Sequence, residues 1–424
     1  MNPYPAIPPA YRTLIACLRG AVNGLPPDTD LASADWPAVF RQAREQGVDT
    51  YLYPWLAARV PGLFALRAPV GADSATAAWR DGFLAALPHS AQRHRQLDGL
   101  LAACAAARID VVPLKGAWLS ETVYDDPAQR SMADLDLLIR AEDRDACHAL
   151  FRALGYAAES EALHNVYACD LAYRHPGHPL CVELHWHVEP EMAGGTPRPD
   201  IAAVWRNTSA GRLRGQPVRL FAPADQVSHL TQHILHHLFA VPLRGYLDIA
   251  LYLKKAGALL TADAMDGAAA RWKTGRATPF LLRLVAELFA IPLPAAVRQG
   301  APDREAERNA QAFEALFNLP EAHARDGETT LLRFKHASVR GRTRLVLSRI
   351  FMPRAFLAMR YPCARHTCLL PYVWFRRACD LRRANRDKMR DVLSRGTPGA
   401  EPLANAERRA NLVTWLLEQP PARG

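Results

Sequence analysis

Hydrophobic positions recur at helical spacing through most of the chain and at strand spacing only in a central stretch. From residue 11 to about 101 the pattern is helical. Residues 36–47 follow Asp35, whose carboxylate can accept a free helix N–H, and they stop at Gly47, which tolerates the left-handed C-terminal position. Residues 71–108 carry no β-branched run and favour helix.

The period changes at residue 109. Residues 109–113 form a short β-rich run, 116–124 are helix-like, and 134–139 read as a second strand. Residues 142–154 predict an amphipathic helix with Ala146, Leu150, Phe151 and Leu154 on one face and Gly155 as its stop. Residues 165–175 and 181–188 read as two further strands around the turn-rich HPGHP. Together they predict a small mixed α/β unit. Beyond it, GGTPRP after Met192 reads as a joint and Pro223-Ala-Asp-Gln as a helix start. Further helices are expected over 225–239, 243–256, 280–290 and 304–317. The division expected is a helical N-terminal region (1–100), the α/β core (101–195), a helical domain (196–330) and an Arg-rich helical C-terminal region (331–424). Neither an internal repeat nor a low-complexity tract stands out.

Composition narrows the class. At 424 residues, with half of them hydrophobic and 22% charged, the chain is expected to fold into two or three domains of about 150 residues. No run reaches the length of a membrane span, and the start does not look like a secretory signal. Eight cysteines without a CxxC pair fit reduced thiols, so the expected location is the cytoplasm. The net charge of +10 admits a polyanionic partner or an anionic membrane surface. The Arg- and aromatic-rich C-terminal region could make either contact, or could be a solvated helical face.

The chemistry concentrates in Arg130-Ser-Met-Ala-Asp134-Leu-Asp136. Residues two apart on a strand share a face, so Asp134 and Asp136 would stand side by side while Leu135 and Leu137 enter the core. A bare DxD is also what a strand with one solvated face looks like. A second strand, Val182-Glu183-Leu184-His185-Trp186-His187, puts Glu183, His185 and His187 on one face, so a third carboxylate could join the pair. Carboxylate oxygens on rigid strands suit Mg²⁺, or Mn²⁺, and two ions become feasible. In Leu114-Lys115-Gly116-Ala117 a strand passes into a helix, whose free N–H groups, with the Lys charge and a Gly that admits a close approach, make an anion site. Arg130 is a natural second phosphate clamp. His229, His233, His236 and His237 lie on a probable helix and fit packing or substrate contact better than metal binding. Asp248 fits a local pairing role.

In order and spacing, LKG, RxxxDLDLLI, a helix ending LGY, and VELHW resemble the uncharacterised nucleotidyltransferase family of the DNA polymerase β-like superfamily. LKG followed by RxxxDxD is also similar to AbiEii-type nucleotidyltransferase toxins. The matching core spans about 109–188, and DQVSHLTQHILHH and LRGYLDIALYL have the family's general look. The resemblance implies an α+β fold with a polymerase-β-like core between helical regions. It further implies transfer of a nucleoside monophosphate from an NTP to an acceptor hydroxyl with release of pyrophosphate. Asp134, Asp136 and Glu183 would be catalytic and metal-binding, Lys115, Gly116 and Arg130 nucleotide-binding, and His185 would position the acceptor, whether small molecule, protein or RNA. The sequence departs from the broad pattern, which has Gly-Gly or Gly-Ser closer to the first acid. Two other functions fit the same residues: a non-catalytic nucleic-acid-binding or scaffold protein, and a tRNA-modifying toxin.

Overall fold

A computed structural model describes residues 7–26, 31, 33–59, 74–158, 169–188, 198–297, 361–384 and 400–417, together with residues 343, 347, 350, 351 and 357. Four helices open the chain: α1 (Pro9–Asn23), α2 (Trp36–Glu45), α3 (Asp49–Arg59) and the 33-residue α4 (Ser74–Ala106). The expected cap of α2 forms, with the Ala38 N–H donating to Asp35 Oδ1 at 3.1 Å, and Gly47 just past its end has φ +66°.

The sheet follows. Its strands are β1 (Val112–Pro113), β2 (Asp134–Leu138), β3 (Ala157–Ala158), β4 (Asp170–Arg174) and β5 (Cys181–His185), in the order β1-β2-β5-β4-β3. β2 and β5 are parallel; the other pairs are antiparallel. A parallel pair needs a crossover, and here it contains α6 (Arg144–Ala153) and the β3–β4 hairpin. α5 (Lys115–Thr122) links β1 to the segment ahead of β2. These elements follow the sequence reading closely, with two differences, of which the unexpected strand β3 is the first. In α6 it is Cys147 and Phe151 that are buried, while Ala146 and Leu154 are exposed. The inward face is set by Phe151, whose ring packs 5.0 Å from Tyr173 and 5.7 Å from Tyr156.

Beyond the sheet, a helix, a hairpin and a further helix were not anticipated. α7 (Ile201–Arg206) precedes a hairpin of β6 (Ser209–Leu213) and β7 (Gln216–Leu220). The hairpin turns on Arg214 (φ +51°) and Gly215 (φ +80°), the left-handed pair that a two-residue turn requires. It is joined to the stretch before β1 by Arg219 N–H donating to Val111 C=O at 2.8 Å. α10 (Ala262–Trp272) is the further helix. The expected helices appear as α8 (Pro223–His236), α9 (Leu243–Ala256) and α11 (Ala277–Phe289), followed near the C-terminus by α12 (Leu370–Ala384) and α13 (Ala400–Leu417). The expected joint at GGTPRP lies mostly outside the described residues, as do the helix at 304–317 and most of the Arg-rich region.

Among the described residues two main cores hold the sheet and the helices together, and a small third one gathers Leu357, Tyr361, Ala364 and Val373. The core under the sheet joins Leu100 and Leu101 of α4 to Leu135, Leu137, Val182 and Leu184, with Leu213 and Val218 of the hairpin. The larger core is helical and discontinuous in sequence. It combines Leu14, Leu18, Leu52 and Leu56 with Val227, Leu247, Phe280 and Leu284, and with Leu412 and Leu416 of α13. Leu114, Leu119 and Leu138 belong to the helical core, so α5 and the end of β2 are wedged against it. Among the described residues no helix is long and apolar enough to cross a membrane.

Candidate active site on the parallel strand pair

Register decides what meets on the face of β2 and β5 turned away from the core under the sheet. Asp136 lies opposite Glu183 and Leu138 opposite His185, so strand alternation sends Leu135, Leu137, Val182 and Leu184 into the core and the acidic side chains to the other face. Ligand atoms of Asp136, Glu183 and His185 lie within 4.8 Å of one another. His185 Nε2 is 3.0 Å from Asp136 Oδ1 and 3.6 Å from Glu183 Oε2. Lys115 Nζ donates to the same Asp136 oxygen at 3.0 Å. Asp134, two residues before Asp136 on β2, is half-buried and stands outside that trio, but it feels the charges of Asp136 and Glu183.

These groups perturb one another strongly. Burial pushes the Asp136 carboxyl up, yet Lys115 and His185 outweigh it and hold the group well below the usual carboxylate range. Asp134 goes the other way, raised by burial and then by the charges of Asp136 and Glu183. Burial opposes charge on His185, but its contacts with Asp136, Cys169 and Glu183 prevail and raise it well above the ordinary histidine value. His185 is itself buried and turned onto the two carboxylates, so any orienting of an acceptor by it must pass through them.

The Lys115-Gly116 step starts α5 as expected. Lys115 has φ +41°, a left-handed conformation that costs a non-Gly residue energy and that here delivers its ammonium to Asp136. Gly116 is tightly approached, but by protein: a Cβ there would lie 2.3 Å from Arg130 Nη1. Arg130 is 6% exposed, and its Nε and Nη2 donate to Asp248 Oδ1 and Oδ2 at 2.9 and 2.8 Å. The residue expected to clamp phosphate is thus engaged with α9 through two of its three nitrogens.

The partner was set aside by sequence reasoning. Asp248 is 2% exposed and also accepts the Tyr124 O–H at 2.7 Å. One turn earlier on α9, Arg244 donates to Ser131 O at 2.7 Å and to Ser131 Oγ at 3.0 Å. From α4, Arg93 donates to the carbonyls of Arg130 and Pro127, each at 3.1 Å, and burial together with the Arg130 charge lowers it to about 10. Arg244 and Asp248 are four residues apart in LRGYLDIALYL, so their shared helix face was a readable signal. His229 is fully buried between the rings of Phe221 and Trp272, 5.6 and 5.5 Å away, and burial holds both it and His233 well below the ordinary histidine value.

A small mixed sheet bearing acidic residues on adjacent parallel strands, beside a Lys-Gly helix start, has the build of the nucleotidyltransferase class. The chain belongs to the family described as uncharacterised nucleotidyltransferase, which it matches over residues 32–290. It is accordingly a nucleotidyltransferase, a class that acts on a nucleotide substrate and an acceptor. No curated protein matches the chain. Among solved structures it is similar to the antibiotic-resistance factor ANT(2'')-Ia, with 16% identity, a TM-score of 0.29, and coverage of 43% of this chain and 89% of that one. It is also similar to an antigenic nucleotidyltransferase-like protein from Paracoccidioides brasiliensis, with 19% identity, a TM-score of 0.29, and coverage of 49% and 96%.

Proposed function

We propose that the protein transfers a nucleoside monophosphate from an NTP to an acceptor hydroxyl, releasing pyrophosphate, with Asp134, Asp136 and Glu183 holding divalent metal. The observation that carries this reading is the in-register pairing of Asp136 with Glu183 on parallel strands, with their oxygens inside one 4.8 Å cluster. Closely set carboxylates raise one another's pKa and are relieved by a cation, and hard oxygen donors suit Mg²⁺ or Mn²⁺. Bound there, the ion would supply Lewis-acid activation of the hydroxyl and neutralise phosphate charge.

The chain's own residues do the rest. Lys115, at the start of α5, contributes its positive charge to the triphosphate, and the α5 N–H groups beside Gly116 complete the anion site. Arg130, with one nitrogen against Gly116 and two on Asp248, borders that anion site. Glu183, a third exposed and on the outer side of the cluster, takes the proton as the hydroxyl oxygen attacks the α-phosphorus and the bond to pyrophosphate breaks. His185 keeps the Asp136 and Glu183 carboxylates in place.

Incubation with each α-labelled NTP, Mg²⁺ and a cell extract tests this. Label appearing on an acceptor, with one pyrophosphate released per transfer, is the result expected. Failure of every nucleotide both to bind and to transfer would refute it.

A further inference from the structure

An ion pair between α9 and the segment leading into β2 lies next to the carboxylate trio. Arg130 and Asp248 are each more than nine-tenths buried, and a buried guanidinium is tolerated only with a partner. The neighbourhood is already rich in cations, because Arg93 and Arg244 both hold the 127–131 backbone and Lys115 lies next to Gly116. Arg130 Nη1 presses on Gly116, one residue from the lysine that reaches Asp136. A divalent ion entering the cluster would therefore approach an Arg130 whose charge is cancelled mainly from the side of α9.

We propose that Asp248 is a positioning residue for the metal site: by binding both Nε and Nη2 of Arg130, it keeps that guanidinium away from Asp136 and preserves the negative charge that a divalent cation needs. This rests on the metal-dependent reading above. Remove the Asp248 charge, and an unpaired buried cation beside Asp136 competes with the ion. Remove Arg130 as well, and the competitor is gone. The effect depends on the sign of the charge removed, which a purely structural role for the pair does not reproduce.

Mn²⁺ titrations of the full chain, read from the electron paramagnetic resonance signal of free Mn²⁺, test this without any turnover. Asp248→Asn is expected to weaken binding about tenfold or more. Arg130→Met is expected not to weaken it, and the double variant should match Arg130→Met. The proposal is overturned if Arg130→Met loses as much affinity as Asp248→Asn, or if Asp248→Asn stays within about twofold of the wild type. Should Asp248→Asn fail to fold by circular dichroism, the comparison of the double variant with one carrying Arg130→Lys and Asp248→Asn decides. Binding about tenfold weaker where the lysine remains supports the proposal, and equal affinity overturns it. Wild-type binding that is lost in Asp136→Asn shows the metal reading intact, so a wrong variant pattern then sinks only the role of Asp248. A wild type that binds no Mn²⁺ sinks both.

Discussion

Replacing Gly116 with alanine ought to be mildly favourable on propensity alone, because glycine inside a helix costs about 0.5–1 kcal/mol relative to alanine. The structure reverses the sign. The new methyl would lie 2.3 Å from Arg130 Nη1, closer than real Cβ contacts come, and a tight 3.2 Å from its Cζ. A flexible arginine end could usually swing away, but this one is pinned to both oxygens of Asp248 at 2.8 and 2.9 Å. Either α5 shifts or the ion pair gives way. Overpacking of this kind costs about 1–3 kcal/mol, and outright loss of a buried pair about 3–5 kcal/mol. Set against the propensity gain, Gly116→Ala should destabilise the protein by about 1–2 kcal/mol, and by more if the pair breaks. Gly99, on α4 with open space around its Cα, is the control: the same substitution there should stabilise by about 0.5–1 kcal/mol. Urea unfolding of the two variants reads the difference. Equal effects would show that Arg130 does not occupy the space above Gly116.

Three other outcomes follow from the same structure. Tyr124→Phe removes the O–H donated to buried Asp248 and should cost about 1–3 kcal/mol in urea unfolding; a change below about 0.3 would remove that bond from the account. The Glu121 carboxyl is lowered because contacts with His94 and Arg214 outweigh burial, so its contribution to stability is complete above about pH 4.5 and is lost as pH falls through the lowered folded value. Glu121→Gln should accordingly flatten stability against pH on the acid side, and an unchanged acid slope would contradict the assignment. Asp35→Ala should cost about 0.5–2 kcal/mol by uncapping α2, again by urea unfolding, and no loss would contradict the cap.

Much of the site was legible because strand alternation is a strict period. Parity alone put Asp134 with Asp136 and Glu183 with His185, and it sent Leu135, Leu137, Val182 and Leu184 inward. Adjacency of the two strands was not legible from periodicity, since the crossover that makes β2 and β5 parallel neighbours carries no local signature of its own. The bounds of α9 were read as they stand, yet not the use of its Arg244–Asp248 face, because a helix pattern does not say which loop a buried charged pair will grip. Gly116 shows a related limit. Its need for space was readable and the occupant was not: a guanidinium fills it where a phosphate was expected. The β6–β7 hairpin was hidden by its arginines, although the Arg214-Gly215 turn was in plain sight.

The central claim, that acidic side chains from two strands trap a divalent ion, is tested most directly by anomalous diffraction from crystals soaked in Mn²⁺. A peak in contact with the Asp136 and Glu183 carboxylates is expected, and it should disappear in Asp136→Asn. A peak elsewhere, with these two carboxylates still bound only to Lys115 and His185 at saturating Mn²⁺, would contradict that claim.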